Sequence, residues 1–402
     1  MSKRRFVILD ALRAIAGLVV LLFHLCAPLS KRAGAPIESI VGHGYLAVEF
    51  FILLMGYMLG YAYDRRWKDG MGTWSFFGRR LVRLHPLVIS GVALGLCVVL
   101  LQPEWGVWVT CLRKTDAMGA VGLALWAATM VPVVGFGMIN PFNACSWTLY
   151  YEYAGNILYA LFVRRLGKLG LAVGAGICAF FWLTFAFHVN LNRIFCTDLQ
   201  VFADAAKQLI WSVAGGWSDR PIGFYAGFVR LGFPLFFGLL LSRLGWKIRL
   251  PKGALWISIV VFLAVLCTPH TYKLGGEAYP WVNPLFEAFA LMVVFPLLIL
   301  IGVGSEADGS TAMAKVFTYF AELSYPLYMS HYMFMYIYNW WVKVHSNEFS
   351  DAVVLSVVAA AFLVLVAFAS VVMICWDRPV QRWLMAWIKR NESGDVKIAA
   401  AK

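Results

Sequence analysis

Ten apolar runs, each near the length of a membrane-spanning helix, divide this 402-residue chain. They cover residues 7–28, 44–63, 86–101, 147–163, 169–188, 223–242, 254–269, 284–303, 325–341 and 351–375. A helix needs about 20 apolar residues to cross the hydrocarbon, and only chains that satisfy every backbone polar group internally are tolerated there. With 61% hydrophobic and 14% charged residues, the chain is not an ordinary water-soluble domain. The expected fold is all-α, a polytopic transmembrane bundle of about ten spanning helices. The stretch 119–139 is also apolar. Counting it as a span would upset the charge asymmetry described next, so it is expected to be re-entrant or to lie on the surface.

A net charge of +13 would suit nucleic acid if it were evenly spread. Instead, alternating helices from a cytoplasmic N-terminus put 23 of the 34 Lys and Arg on one side and 9 on the other, with Arg13 and Arg230 inside helices. This is the positive-inside bias, and it favours cytoplasmic termini at both ends. The basic charge is mostly topological and calls for no nucleic acid. Lys3-Arg4-Arg5 before an apolar run mimics a signal peptide, but Asp10 and Arg13 interrupt the run and no small-residue cleavage site follows, so an uncleaved first helix is expected. Residues 1–390 read as one transmembrane domain, and 391–402 as a mobile cytoplasmic tail. Of the eight Cys, five fall in apolar helices as packing residues. Cys111, Cys145 and Cys196 fall in outside segments, where a disulfide between two of them is open.

Arg13 and His24 lie inside the first apolar run. An ionisable side chain within a span costs a few kcal/mol, so such groups usually face a protein interior and do work. Eleven residues of helix leave the two within ~20° of one face and ~16 Å apart along the axis. Gly17 lies between them on that face and is expected to leave open space. A cation near one end and an imidazole near the other suit an anionic ligand and a proton transfer.

Three further clusters stand out. Arg79, Arg80 and Arg83 precede the third span, with Pro86 near its first turn. They read either as a topogenic basic loop or as a convergent site for phosphate, which Arg recognises through its planar fork. A lipid headgroup is the competing anion. Ser146-Trp147-Thr148-Leu149-Tyr150-Tyr151-Glu152 opens the fourth span, with Ser146 as an expected N-cap. Glu152 then sits near the outer end, either paired with an Arg or orienting a histidine. Ser324-Tyr325-Pro326-Leu327-Tyr328-Met329-Ser330-His331 enters the ninth span, where His331 is either structural or functional. His43, His85, His188, His270 and His345 flank helices and are read as non-catalytic. The chain has no Gly-x-Ser-x-Gly elbow for a hydrolase serine. It has no His-x4-Asp pattern, no His-Glu-x-x-His and no Cys/His cluster in sequence, so no metal is expected.

Taken together, these clusters resemble the acyltransferase-3 family of integral membrane acyltransferases over roughly residues 8–382. Asp10-Ala-Leu-Arg13 with His24 is similar to the family's first-helix pattern. Gly44 to Gly56 is similar to its second-helix pattern, with Glu49 where the family usually carries Asp and Met55 where it carries Ser. Phe76-x-x-Arg79-Arg80-x-x-Arg83-x-x-Pro86 resembles its basic motif. Ser146-Trp147-Thr148-Leu149-x-x-Glu152, Ser324-Tyr325-x-Leu327-Tyr328-x-x-His331 and Asp377-Arg378-Pro379 follow in the family's order.

The resemblance implies an enzyme of the bacterial inner membrane. It would move an acyl group, usually acetyl, from cytoplasmic acyl-CoA (acetyl-CoA) to a hydroxyl of a glycan or glycolipid at the outer face. Either the chain works alone within the membrane lipid or a separate periplasmic partner finishes the transfer. On this reading Arg13, Arg79, Arg80 and Arg83 hold the cofactor's phosphates and pantetheine arm. His24 serves as general base or acyl carrier, and Glu152 orients it or takes its proton. Asp10, Ser146, Trp147, Tyr328 and His331 bind substrate or support the site. Two alternatives stay open, a transporter or flippase for an anionic lipid or sugar and the same chemistry with another acyl group such as succinyl.

Overall fold

The computed structural model describes residues 5–31, 41–101, 116–187, 213, 215–270, 273–274, 277–278, 281–305 and 309–400. Twelve helices are laid out among the described residues: α1 Val7–Cys26, α2 Ala47–Lys68, α3 Thr73–Leu101, α4 Ala117–Ala128, α5 Trp147–Leu161, α6 Lys168–Ala186, α7 Pro221–Leu244, α8 Ala254–Cys267, α9 Val282–Gly304, α10 Ala312–Ser330, α11 Tyr332–His345 and α12 Asp351–Arg390. A two-stranded antiparallel ribbon, β1 Lys273–Leu274 and β2 Glu277–Ala278, lies between α8 and α9. Helix α12 continues beyond Arg390 as far as Ala400, within the segment expected to be a mobile tail.

Seven of these segments are long and apolar enough to cross a membrane, the first being Val7–Leu29. The other expected spans correspond to α5, α8, and the junction of α10 and α11. The expected span 325–341 is not one helix. It breaks at His331, which caps the end of α10 and the start of α11. Apolar α4 has 12 residues, about 18 Å of helix, and leads into the irregular segment 129–146. It falls short of the ~20 residues that a crossing requires.

Cheap local chemistry starts and stops the helices. Asp116 caps α4 by accepting from the Gly119 N–H at 2.7 Å, and Thr311 caps α10 by accepting from Ala314 at 3.1 Å. Pro221 opens α7, and Gly245 closes it in the left-handed region at φ 72°.

Helix α1 is central and packs against α2, α8, α9, α10, α11 and α12. A second pairing, α2 on α7, is extended by α6. Its close approach depends on glycine: a β-carbon on Gly238 would stand 2.2 Å from the Leu53 carbonyl, and one on Gly56 2.5 Å from that of Leu235. Such small-residue contacts are the usual glue of helices in lipid, where hydrophobicity alone does not join them. At the basic end, Arg243 clasps Asp64 at 2.6 Å and also donates to the Arg164 carbonyl, tying α2, α7 and the α5–α6 turn together. Exposed Trp74, Trp246, Trp383 and Trp387 lie on segments at this same end, as interfacial tryptophans do. At the opposite end, the Asp219 carboxylate accepts from the backbone N–H groups of Gly135, Phe136 and Gly137 at 2.7, 2.9 and 2.9 Å, fastening the segment that follows α4.

Candidate active site

His24 and His331 meet at the centre of the bundle. His24 Nδ1 lies 2.8 Å from His331 Nε2. The rings are within 18° of coplanar with centroids 5.0 Å apart. That separation is the N···N distance plus two ring radii, so the imidazoles meet edge to edge along a lone pair. His331 Nδ1 is 2.9 Å from the Leu327 carbonyl, which can only accept. Nδ1 of His331 therefore carries a proton, and in the neutral ring Nε2 is the acceptor. His24 must then donate from Nδ1, which leaves its Nε2 lone pair as the free base. The break at His331 is what permits this, because it presents the ring edge toward α1 while the Leu327 carbonyl holds the other nitrogen.

The two rings differ in access. His331 is 1% exposed, whereas His24 is half-buried on a helix that packs against six others. Tyr332 abuts His24 edge-on with centroids 5.5 Å apart. Around the pair, Tyr328 receives a hydrogen bond from the Thr148 hydroxyl at 3.0 Å. Ser146 stands at the start of α5, but its hydroxyl donates back to the Asn143 carbonyl at 2.7 Å instead of capping the helix. Trp147 is buried and carries the Arg230 guanidinium 4.8 Å over its ring.

Cys145 completes the centre, with Sγ 3.8 Å from His331 Nε2. It is a free, buried thiol, so the open disulfide does not involve it; Cys111 and Cys196 lie outside the described residues. His24, Cys145 and His331 place one ligand-type atom each within 4.8 Å of one another. The 2.8 Å between the imidazole nitrogens is a hydrogen-bond distance. Two nitrogens on a tetrahedral zinc would stand ~3.3 Å apart.

The basic residues form a second centre toward the opposite end. The helix α3 begins at Thr73, so Arg79, Arg80 and Arg83 are helical rather than part of a loop, and His85 sits inside α3 rather than flanking it. Arg80 donates to Glu152 at 2.6 Å, with side-chain exposures of 8% and 25%. This corrects the placement of Glu152 as the partner of His24. Arg80 rises ~10 Å into the bundle from Thr73 and Glu152 descends ~8 Å from Trp147, so the pair meets midway. Arg13 donates to the Ala321 carbonyl at 3.2 Å and lies 3.8 Å from Asp10. Asp10 is bound by Arg5 at 2.8 Å, and Arg5 and Arg378 both reach Glu322.

Arg79 leans on the Ser75 hydroxyl at 3.3 Å. The guanidinium of Arg83 has no hydrogen-bond partner among the described residues. Arg83 is exposed, yet the charges and phenols acting on it come from Arg80, Glu152, Tyr63 and Tyr325, on four different helices. It therefore sits between these helices with its side chain open to the exterior of the protein. Gly17, expected to leave open space, instead lets α1 press on α10: a β-carbon there would meet Ser324 Cβ at 2.9 Å.

Two further polar contacts are built from residues that the sequence shows singly but does not pair. Arg230 on α7 donates to Glu49 at 2.5 Å, an ion pair with both side chains 3% exposed or less. Near it, Tyr45 donates to Glu287, which is fully buried. An arginine amid the apolar run 223–242 was the available signal. Beyond α1's far end, His43 donates from Nδ1 to the Thr268 carbonyl at 2.7 Å and stacks on His270 at 4.3 Å. His43 lies outside the spanning segments, and burial lowers its pKa to about 4 against the partial offset of the Thr268 bond.

Residues 6–376 match the model of the acyltransferase domain family that groups membrane acyltransferases of the acyltransferase-3 type. The chain belongs to that family. Among curated proteins it is 28% identical over 169 residues to Acyltransferase MdmB of Streptomyces mycarofaciens, covering 40% of each chain. It is 34% identical over 91 residues to Protein 2 in picA locus of Rhizobium radiobacter, covering 22% of this chain and 44% of that one. The alignments thus span less than half the length of these relatives. No solved structure matches the chain significantly. Membership and the apolar helices make this chain a multi-pass membrane protein.

Proposed function

We propose that this acyltransferase moves an acyl group, in the simplest case acetyl, from acyl-CoA to a hydroxyl of a glycan or glycolipid. The donor enters at the basic end, and the acceptor approaches from the end that carries His43 and the Asp219-fastened segment. In this reading ten helices span a bacterial inner membrane and both termini are cytoplasmic. The observation that carries the proposal is the half-buried His24, held by His331 through Nδ1 so that its Nε2 lone pair is left free.

The chemistry follows from that tautomer. The acceptor hydroxyl gives its proton to His24 Nε2 as its oxygen attacks a thioester carbonyl. Positive charge then spreads through the Nδ1–H bond to His331 and on to the Leu327 carbonyl. Collapse of the tetrahedral adduct breaks the carbon–sulfur bond, and the departing thiolate recovers the proton. Arg13 and Arg83 supply positive charge along the donor's path. Arg83 takes phosphate most directly, because Glu152 already occupies Arg80. The ~16 Å rise between Arg13 and His24 is comparable to a pantetheine arm.

The test uses proteoliposomes supplied with radiolabelled acetyl-CoA or succinyl-CoA and extracted membrane glycans. Labelled glycan is expected from the wild type and none from His24→Ala at equal protein level. Arg83→Ala should raise the donor KM with little change in kcat. Wild-type protein that moves intact substrate without labelling it would replace the proposal by transport.

A further inference from the structure

Cys145 occupies a position that direct transfer from CoA leaves without a task. It ends the irregular segment after α4 and opens the turn into α5. Its side chain is 2% exposed and faces the imidazole pair. A nucleophile within reach of a base that a third group orients is the usual signature of covalent catalysis. All three parts are present here: Cys145 Sγ, His331 Nε2 at 3.8 Å, and the Leu327 carbonyl on His331 Nδ1 at 2.9 Å. The base is set deep, with no carboxylate among its hydrogen-bond partners.

The same lone pair of His331 faces two donors, His24 Nδ1–H and the Cys145 thiol. One imidazole can therefore serve the thiol while the other serves an alcohol. That division explains why two histidines stand in contact where a single base would suffice.

We propose that Cys145 is a covalent acyl carrier, so that transfer runs through two successive thioesters. This inference rests on the acyl-transfer reading above. In the first step the Cys145 proton passes to His331 Nε2, from which His24 Nδ1–H yields. The thiolate attacks the acyl-CoA carbonyl, the bond from that carbon to the CoA sulfur breaks, and the CoA thiolate takes the proton from His331. In the second step the acceptor hydroxyl gives its proton to His24 Nε2 and its oxygen attacks the acyl carbon on Cys145. The carbon–Sγ bond breaks, and Sγ recovers the proton through the imidazole pair. Thioester exchange is nearly thermoneutral, so no oxidant, metal or further energy source is needed. The acyl group stays at one fixed point, and CoA leaves by the basic end, where it entered, before the acceptor arrives.

The experiment incubates detergent-purified protein with radiolabelled acetyl-CoA and no acceptor, then maps the label to peptides. The wild type should retain about one equivalent of label on the Cys145 peptide, removable by neutral hydroxylamine. Cys145→Ala should lose both the label and transfer to glycan. His24→Ala should still accept label on Cys145 yet fail to pass it on, an outcome that does not depend on the Cys145 variant folding. Label on the His24 peptide, or full transfer by Cys145→Ala, overturns the proposal and leaves the acyl-transfer reading intact. Wild type that labels glycan but is never itself labelled, even when acceptor is withheld, also overturns it. Wild type that labels neither itself nor glycan removes the acyl-transfer reading as well.

Discussion

Replacing Gly17 by alanine tests whether the imidazole pair depends on how closely α1 and α10 approach. The new β-carbon would stand 2.9 Å from Ser324 Cβ and 3.1 Å from its Cα. Carbon atoms settle at about 3.5–4.0 Å, so the two helices must part by roughly 0.5–1 Å. The contact lies one turn from the Arg13–Ala321 bond at 3.2 Å and two turns from His24. Both it and the 2.8 Å imidazole bond would lengthen. Overpacking of this kind costs about 1–3 kcal/mol, and a misplacement of ~1 Å can cost ~10²-fold in rate. Gly17→Ala should therefore insert and fold with a lower Tm, while turnover falls roughly 10- to 100-fold. Initial rates normalised to membrane protein level report this. Ser324→Gly in the same chain removes the nearest clashing atom and should restore part of the loss. A Gly17→Ala protein with wild-type Tm and turnover would refute the argument, and failure of Ser324→Gly to restore anything would show that helix spacing is not the cause.

Glu152→Gln should lower stability, because a part-buried ion pair becomes a charge–dipole contact, yet the pH dependence of turnover should stay put because Glu152 touches Arg80; a displaced profile would return Glu152 to His24. Lowering the pH from 7.5 to 5 should destabilise the loop end by about 2 kcal/mol through His43. The unfolded chain takes the proton near the ordinary 6.5 and the folded chain only near 4, so stability is lost as pH falls through that window. Thermal unfolding of His43→Asn in detergent should lack this acid-sensitive part, and an identical pH response in both proteins would contradict the burial argument. Arg230→Met should cost about 3–5 kcal/mol by leaving Glu49 buried without its cation, and adding Glu49→Leu should recover most of it. Equal Tm values for the single and double variants would show that the pair contributes no such coupling.

What could be read along the chain was depth; what could not was lateral neighbourhood. Helical rise places Arg13 and His24 on one face and ~16 Å apart, and both lie in α1 and reach α10 or its end, Arg13 at the Ala321 carbonyl and His24 at His331. The same arithmetic cannot choose which helix stands opposite. Glu152 was consequently given to a histidine, although an arginine from α3 reaches it first. Gly17 was read as space because a glycine that makes a gap and one that admits a neighbour look alike in one dimension; Ser324 decides the matter. The run 325–341 reads as one span by its hydropathy, and the break at His331, where the ring bonds back to the Leu327 carbonyl, is not visible in it. Cys145 was weighed as a disulfide partner because the turn that carries it inward is formed by packing against distant segments, as when Asn143 donates to the Met329 carbonyl at 2.9 Å.

His24 and His331 are separated by 307 positions in the chain and by one hydrogen bond in space. A nascent polypeptide delivers the first of them to the membrane at the outset and the second only after nine further helices have been made. The closing of that single bond coincides with the docking of the tenth helix on the first, so on the proposed mechanism a half-built molecule would not consume acyl donor. Expressing residues 1–305 and 306–402 as separate fragments would turn this timing into a switch, with activity appearing only when the two pieces reassemble.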